Sequence, residues 1–173
     1  SLLYSGFGAC RRGGYVMAEL KDIVYYLVDK YPHKEHLANA RITKMVYLAD
    51  WYSVNVFGKQ VSEISWYFDN YGPFVTDVIK MAQENTKVFS VTEENNYFGA
   101  TKRVIKNIST YSPILSESEI KSLDKVIEIT KNKTWDQFIT FVYSTYPIVV
   151  SDRYTNLDLM ALSVEYQKRK RES

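Results

Sequence analysis

The sequence predicts a mainly α-helical fold, of the α+β class, with about five to six helices and a small β element. Three observations predict it: apolar residues recur at helical spacing, two segments open with helix-capping signals, and one short segment alternates apolar and polar residues. The 173 residues, 46% hydrophobic and 24% charged, suit one globular domain. We divide the chain into an N-terminal arm (1–16), one helical domain (17–166) and a basic C-terminal tail (167–173).

The N-terminal arm differs in composition from the rest of the chain. Residues 1–16 hold four of the seven glycines and the only cysteine, Cys10, and they show no helical or strand period. Two interpretations fit this segment: a non-native or upstream-translated extension, or a native flexible arm. Because a single cysteine excludes an internal disulfide, we expect a reducing, cytoplasmic environment.

Two apolar patterns predict the first two helices. From Leu20 to Val28, apolar residues recur at the i, i+3, i+4, i+7 and i+8 positions of one helix face, and Pro32 ends that helix. The second helix covers about residues 37–57, and its apolar stripe runs almost all the way round. We therefore expect this helix to be the central, most buried one, with Gly58 at its C-terminal end.

A strand and a sharp corner are predicted after the second helix. Ile64, Trp66 and Phe68 alternate with polar or exposed positions, which indicates a short strand with these three side chains inward. Gly72 permits backbone angles closed to other residues, and Pro73 suits the first position of a helix. The pattern therefore predicts a strand-to-helix corner, with a new helix starting at Pro73.

The second half of the chain predicts a hairpin and three more helices. Residues 88–108 indicate a hairpin that turns at residues 93–96, and the pairs Ser116/Glu119 and Thr134/Gln137 have the spacing of capping boxes. The third of these helices starts at about residue 156 and frays into the basic tail. The inward faces predicted for the last two helices are Trp135, Phe138, Ile139, Val142 and Tyr146, before a stop at Pro147, and Leu157, Met160, Ala161 and Val164.

Residues suited to catalysis or metal binding are few. His33 and His36 are the only histidines, and they lie three apart in a predicted loop, whereas a metal site needs three or four convergent ligands. The sequence also has no phosphate-binding glycine loop and no nucleophile elbow. We expect no catalytic centre, no cofactor and no metal, and so a protein that is not an enzyme.

Charge and hydropathy narrow the possible partners. The formal net charge is +2, but without the basic run 168–171 the remaining 18 basic residues are outnumbered by 20 acidic ones. A folded nucleic-acid-binding domain usually has a basic face, so nucleic acid is not the expected partner, although the tail could touch phosphates. No apolar run approaches the roughly 18 residues of a spanning helix, and we expect no membrane association.

Two buried charges and the many tyrosines are the candidate binding residues. Lys44 and Asp50 lie on the helix expected to be most buried, where they need either a structural network or a partner. The chain has fifteen tyrosines, and those at the surface favour protein interfaces because they combine large contact area with a polar tip. Near the corner, Tyr67 and Tyr71 are candidates for partner contact, while Trp66 is predicted to face inward.

Two motifs in this order resemble a known family. The first is "ITKMVYLADWYSVNVFGKQV", residues 42–61, and the second is an aromatic residue followed by Tyr-Gly-Pro. Together they resemble the Panacea antitoxin domain, the family of SocA-like and phage-associated GepA-like proteins. The matching positions are Lys44, Met45-Val46, Tyr47, Ala49, Asp50, Trp51 and Gly58-Lys59, then Trp66 and Tyr71-Gly72-Pro73.

The resemblance implies a cytoplasmic antitoxin that binds and neutralises a toxin encoded nearby. The alternatives are a proteolytic adaptor that delivers the toxin to a protease, as SocA does, and a DNA-binding transcriptional regulator. The family often has Thr-His and then Pro-Trp where this chain has residues 144–148, so no function tied to that corner is carried over. No feature specifies an oligomeric state. The candidate partner-binding residues are Tyr67, Tyr71, Lys44, Asp50 and Trp51, and the structural motif is Trp66, Gly72 and Pro73.

Overall fold

A computed structural model describes residues 11–12, 15–16, 18–95 and 98–173. These residues form seven α-helices, one 3-10 helix and seven short strands, which confirms the predicted mainly α fold with a small β element. Most of the predicted N-terminal arm, together with Met17, lies outside the described residues. Within the described part of the chain, no helix combines the length and apolar character needed to cross a membrane.

The elements are numbered here in chain order. They are β1 (Arg11–Arg12), β2 (Tyr15–Val16), α1 (Leu20–Lys30), the 3-10 helix (Lys34–His36), α2 (Asn39–Phe57), β3 (Trp66–Asp69), β4 (Gly72–Pro73), α3 (Asp77–Glu84), β5 (Phe89–Asn95), β6 (Thr101–Asn107), α4 (Glu117–Thr130), α5 (Trp135–Tyr143), α6 (Tyr146–Val150), β7 (Asn156–Leu157) and α7 (Leu159–Glu172). In the segment predicted to lack regular structure, β1 pairs antiparallel with β2.

Helix α2 is the centre of the core, as predicted from its apolar residues. Every residue from Arg41 to Asp50 is buried, and α1, α3, α4 and α7 all contact this helix. Gly58 ends α2 with a left-handed backbone, φ +75°, which glycine adopts at little cost. A helix buried on all sides places its charged residues inside the protein, so Lys44 and Asp50 both require a structural explanation.

A three-stranded antiparallel sheet in the order β4-β3-β7 packs next to α2. Trp66 lies opposite Leu157, and Phe68 lies opposite Pro73. Trp66 and Phe68 are buried while Tyr67 is half-buried, which confirms the predicted alternation along β3. The strand therefore fixes the Trp66 indole against the core.

The Tyr-Gly-Pro corner is a hairpin turn, which corrects the predicted helix start at Pro73. Gly72 has the predicted positive φ, +98°, but Pro73 belongs to β4 and pairs with Phe68. The following amide, of Phe74, still donates to the Tyr67 carbonyl oxygen at 3.0 Å. Because this pairing keeps the chain extended beyond the proline, α3 begins only at Asp77.

The predicted second hairpin is confirmed, but its turn lies further along the chain. Strand β5 pairs with β6 in register, with Glu93 opposite Arg103 and Glu94 opposite Lys102. Opposite charges across an antiparallel pair stabilise strands, so the acidic residues that suggested a turn belong to β5. The connection between the strands is the segment 96–100.

The two helix starts predicted from capping boxes are confirmed, while the predictions for Pro147 and for α7 are wrong. Both capping boxes form, at Ser116 and at Thr134. Pro147 lies in the first turn of α6, where its missing N–H costs nothing, so α5 ends earlier, at Tyr143.

Helix α7 begins later and ends later than predicted. Asp158 caps it by accepting a hydrogen bond from the Ala161 amide, and Asn156 and Leu157 pair with β3 instead of starting the helix. The helix buries Leu159 and Ser163 and continues through the basic run to Glu172. Because α7 packs inward through Leu159 and Ser163, three residues predicted to face inward are exposed: Met160, Ala161 and Val164.

Candidate partner-binding surface around Lys44

Asp50 is fully buried on α2 and is surrounded by hydrogen-bond donors. Its Oδ1 accepts from the backbone amides of Val61 and Ser62, both at 2.8 Å. Its Oδ2 accepts from the Trp66 indole Nε1 at 2.8 Å, the Ser62 hydroxyl at 2.5 Å and the Gln60 side-chain amide at 3.2 Å. Five donors from the loop after α2 and from β3 therefore converge on one carboxylate.

This network gives Asp50 a structural role. Burial raises the pKa of Asp50 to about 6, and the donors from Ser62, Trp66 and Val61 offset part of that rise. The carboxylate is thus mainly ionised at neutral pH and holds the loop and strand against α2. Asp50 is 0% exposed, so its carboxylate is not accessible to a partner protein in this fold.

Lys44 is buried on the same helix, six residues before Asp50, with 2% exposure. Its Nζ lies 5.6 Å from the centroid of the Phe74 ring. Its ammonium makes no hydrogen bond and no ion pair with any described residue. Burial lowers the pKa of Lys44 to about 8, while attraction to Asp69 offsets part of this effect. The stem of Lys44 is therefore buried, while its ammonium opens onto accessible space and has hydrogen-bond donors that no described residue uses.

Lys44 lies at the wall of a cavity of about 400 Å³, called here the Lys44 cavity. Helix α2 forms one side, the β3–β4 turn and the segment after it form a second, and α5 closes a third. Aromatic and aliphatic groups dominate the wall, with Lys44 and Asp69 as its two charged members. The lining residues are Ala40, Lys44, Asp69, Asn70, Tyr71, Phe74, Trp135, Ile139 and Tyr143.

Two exposed aromatic residues line the cavity together with Lys44. Tyr71 is 80% exposed at the tip of the β3–β4 turn, and Trp135 is 46% exposed at the start of α5. The positive φ of Gly72 permits the tight turn, and a Cβ at Gly72 would lie 3.3 Å from the Tyr143 ring. The Thr134 capping box fixes where α5 begins, so both aromatic residues are held by well-defined backbone.

A second cavity of about 560 Å³ adjoins the first. Ala40 and Trp135 line both cavities, and the second is otherwise lined by residues that include the basic side chains of His36, Arg41 and Lys102. The candidate surface therefore extends from Tyr71 across Trp135 to His36. Within the described residues, His33, His36 and the other potential ligands form no metal-binding cluster.

The remaining predicted partner-binding residues lie elsewhere. Trp51 is half-buried further along α2. Its ring stacks on the Tyr146 ring with 6.4 Å between the ring centroids, and its centroid lies 5.5 Å from that of the Tyr166 ring. These rings line a separate groove of about 670 Å³. Tyr67 is half-buried on β3 and is not part of the Lys44 cavity wall. The structure thus brings together Lys44 and Tyr71 but not Tyr67, Asp50 or Trp51.

Sequence reasoning missed seven of the nine residues that line the cavity wall: Ala40, Asp69, Asn70, Phe74, Trp135, Ile139 and Tyr143. It placed Trp135 in the buried stripe of α5, whereas the side chain is almost half exposed. The available signal was its position directly after the capping residue, because side chains at a helix start point back over the preceding turn. Asp69 and Phe74 flank the Tyr-Gly-Pro motif and could have been found from its hairpin geometry.

One family description matches this chain: "Antitoxin SocA-like, Panacea domain" covers residues 42–147. This span is more than half of the 173 residues. The chain belongs to the SocA-like Panacea family. The resemblance drawn from the two motifs is thereby confirmed, and no curated protein and no solved structure matches the chain. The Panacea match includes every residue of the Lys44 cavity wall except Ala40.

Proposed function

We propose that this protein is a binding protein rather than an enzyme, an antitoxin that neutralises a cognate toxin by direct contact. The Panacea family supports an antitoxin-like function with a toxin as partner. The proposal adds that the toxin is encoded nearby, that the pair acts in the cytoplasm as a toxin–antitoxin system, and that phage-associated loci are the place to look for it.

The single observation that supports the location of the contact is the Lys44 ammonium, which lines a cavity together with exposed aromatic rings and is bonded to no described residue. The buried stem of Lys44 limits the hydration of its ammonium, so a partner group that accepts from this ammonium would gain a charge-assisted hydrogen bond. Tyr71 and Trp135 next to it are residue types that dominate binding energy at interfaces. We therefore place the toxin contact over the Lys44 cavity.

The test is co-expression of this chain with the toxin encoded beside it. Cells should survive toxin induction only when the antitoxin is present, and tagged toxin should co-purify with it. Trp135→Ala removes an exposed ring from the proposed contact, and it should weaken co-purification and growth rescue. Ile114→Ala is the matched control, because Ile114 is 79% exposed but belongs to neither cavity.

The toxin level separates direct neutralisation from the protease-adaptor alternative. A direct neutraliser leaves an inactive toxin at undiminished level in the complex, whereas an adaptor shortens the toxin half-life in a protease-dependent way. Rescue that disappears in protease-deficient cells would contradict direct neutralisation. Growth rescue by Trp135→Ala equal to that by Ile114→Ala would contradict the proposed contact surface.

A further inference from the structure

The Lys44 cavity contains one cation and one anion that do not pair with each other. Lys44 and Asp69 both line its wall and attract each other, yet they form no ion pair. The only hydrogen bond that the Asp69 carboxylate accepts from a described residue comes from the adjacent Asn70 amide, at 2.9 Å to Oδ1. The cavity is thus electrically balanced, with donors unused on one side and acceptor capacity unused on the other.

The charge balance restricts what the cavity accepts. A carboxylate could accept from Lys44, but it would bring a second negative charge close to Asp69. An ammonium group could donate to Asp69, but it would face the positive charge of Lys44. A carboxamide is neutral and presents an acceptor beside a donor, so it can satisfy both residues with charge-assisted hydrogen bonds.

The rest of the wall suits an apolar stem. Phe74, Ile139 and Tyr143 present rings and methyl groups, and the cavity volume of about 400 Å³ leaves room for an amide on a short stem. Binding sites of this size typically combine an apolar wall with a few polar groups that orient the ligand. Lys44 and Asp69 are the polar groups placed to do so.

We propose that the Lys44 cavity recognises a carboxamide on an apolar stem, with Lys44 donating to its oxygen and Asp69 accepting from its nitrogen. The Gln or Asn side chain of a partner protein has this chemistry. Only the source of the carboxamide rests on the proposed function: if the partner is a toxin, the carboxamide belongs to a side chain of that toxin.

Three small probes with one stem test the chemistry without the toxin. These are 3-phenylpropanamide, 3-phenylpropanoate and 3-phenylpropylammonium, titrated by ligand-observed NMR against the full chain at pH 7. The amide should bind at least tenfold more tightly than either charged probe. Equal or tighter binding of the carboxylate would overturn the proposal, and so would absence of amide binding.

Two variants assign the two hydrogen bonds. Lys44→Met should weaken amide binding at least fivefold, and thermal melts report whether it remains folded. Asp69→Asn should weaken amide binding and strengthen carboxylate binding, since it removes only the negative charge. Ile114→Ala should change neither. Amide binding that is unaffected by Lys44→Met would overturn the assignment.

A competition experiment identifies the source of the group. The purified toxin complex should no longer bind 3-phenylpropanamide, because a toxin side chain fills the cavity. A complex that still binds the probe would overturn the assignment to the toxin and give the cavity to a free amide ligand. Failure of growth rescue would instead count against the proposed function, because the probe titrations need no toxin.

Discussion

Lys44 and Asp50 are two buried charges on one helix, and their surroundings differ in almost every respect. Asp50 accepts five hydrogen bonds, from two backbone amides and three side chains. Lys44 lies over an aromatic ring beside a cavity and is bonded to no described residue. Six residues along α2 thus separate a carboxylate that protein groups satisfy from an ammonium whose donors face a cavity.

The difference shows that burial alone does not tell whether a charged residue stabilises the fold or binds a partner. A buried charge with a full set of partners contributes to the fold, and removing it leaves those partners unsatisfied. A charge on a buried side chain that no protein group satisfies is partly desolvated without compensation, which costs stability. The two sites should therefore respond in opposite directions when each charge is removed.

The largest effect is expected for Asp50→Asn. Whichever oxygen the amide nitrogen replaces, it would face donors: the backbone amides of Val61 and Ser62 at Oδ1, or the Trp66 indole and the Ser62 hydroxyl at Oδ2. Buried donors would therefore lose their acceptor. We expect the free energy of unfolding to fall by about 3–5 kcal/mol at pH 7, the range for breaking a buried charged network. Urea denaturation followed by tryptophan fluorescence measures it.

Asp22→Asn is the matched control for this prediction. Asp22 is also a buried carboxylate, but the only side chain seen to donate to it in the described structure is the Tyr111 hydroxyl, at 2.5 Å. The loss should be about 1–2 kcal/mol, as for a single hydrogen bond to a charged group. Equal losses at the two positions would contradict the view that the number of donors distinguishes Asp50.

The next largest effect is expected for Gly72→Val, in the turn that borders the Lys44 cavity. Its φ of +98° strains a β-branched residue, and the new side chain would meet the Tyr143 ring. We expect a loss of about 2–4 kcal/mol, from backbone strain of about 1–3 kcal/mol plus displacement of that ring. Thermal and urea unfolding measure the loss.

Gly58→Val separates the two contributions. Gly58 also has a positive φ, +75°, but a Cβ there would have no atom within 4 Å. This variant should therefore show the backbone strain without the steric conflict. A Gly58→Val loss as large as that of Gly72→Val would mean that the Tyr143 contact contributes nothing.

Lys44→Met is expected to stabilise the protein. The substitution keeps an unbranched side chain while removing the buried cation, and replacing buried charges with apolar groups often stabilises by about 1–4 kcal/mol. We expect a gain of about 1–3 kcal/mol at pH 7 together with loss of toxin binding. A destabilised variant would show that the ammonium has partners in solution and would place Lys44 in the same class as Asp50.

The stability gained through Lys44→Met should decrease as the pH rises. The folded chain releases the Lys44 proton near its lowered pKa of about 8, while the unfolded chain holds it to about 10.5. The unfolded state thus binds more protons in this window, and the wild type gains stability as the pH rises. The advantage of Lys44→Met should therefore shrink between pH 8 and pH 10.5. Urea unfolding of both proteins across this range measures the difference.

The sequence predicted the scaffold of this site better than the site itself. The helical spacing of apolar residues predicted α2 and placed both charges inside the protein. The alternation at Trp66 and Phe68 predicted β3. Both predictions succeeded because buried residues recur at the repeat of the helix or strand that carries them. The cavity depends on pairing between strands, which leaves no such period. Pro73 is the example: its φ suits a helix start and a strand equally, and only pairing with Phe68 decides between them.

The partners of the two charges were likewise beyond sequence reasoning. Asp50 is bonded to residues up to sixteen positions away, and Asp69 lines the same cavity as Lys44 only because the hairpin folds back on α2. Trp135 fitted an apolar stripe, yet its place at the first turn of α5 exposes it. The spacing of apolar residues indicates which residues are buried. Whether a buried polar group finds hydrogen-bond partners depends on contacts between distant parts of the chain, which that spacing does not show.

The smallest effect on stability, and the sharpest separation of binding from folding, is expected for Tyr71→Ala. Tyr71 is 80% exposed, so its removal should change the free energy of unfolding by less than about 0.5 kcal/mol. If its ring contacts the toxin over Lys44, the same change should weaken binding by about 1–3 kcal/mol, in the range of an interface anchor. Calorimetric titration of toxin into each variant measures the change in binding free energy.

Tyr67→Ala is the control variant on the same hairpin. Tyr67 lies outside the cavity wall, so this substitution should leave toxin affinity unchanged. Weaker binding by Tyr67→Ala with none lost by Tyr71→Ala would move the interface away from the Lys44 cavity and leave Lys44 without a partner protein.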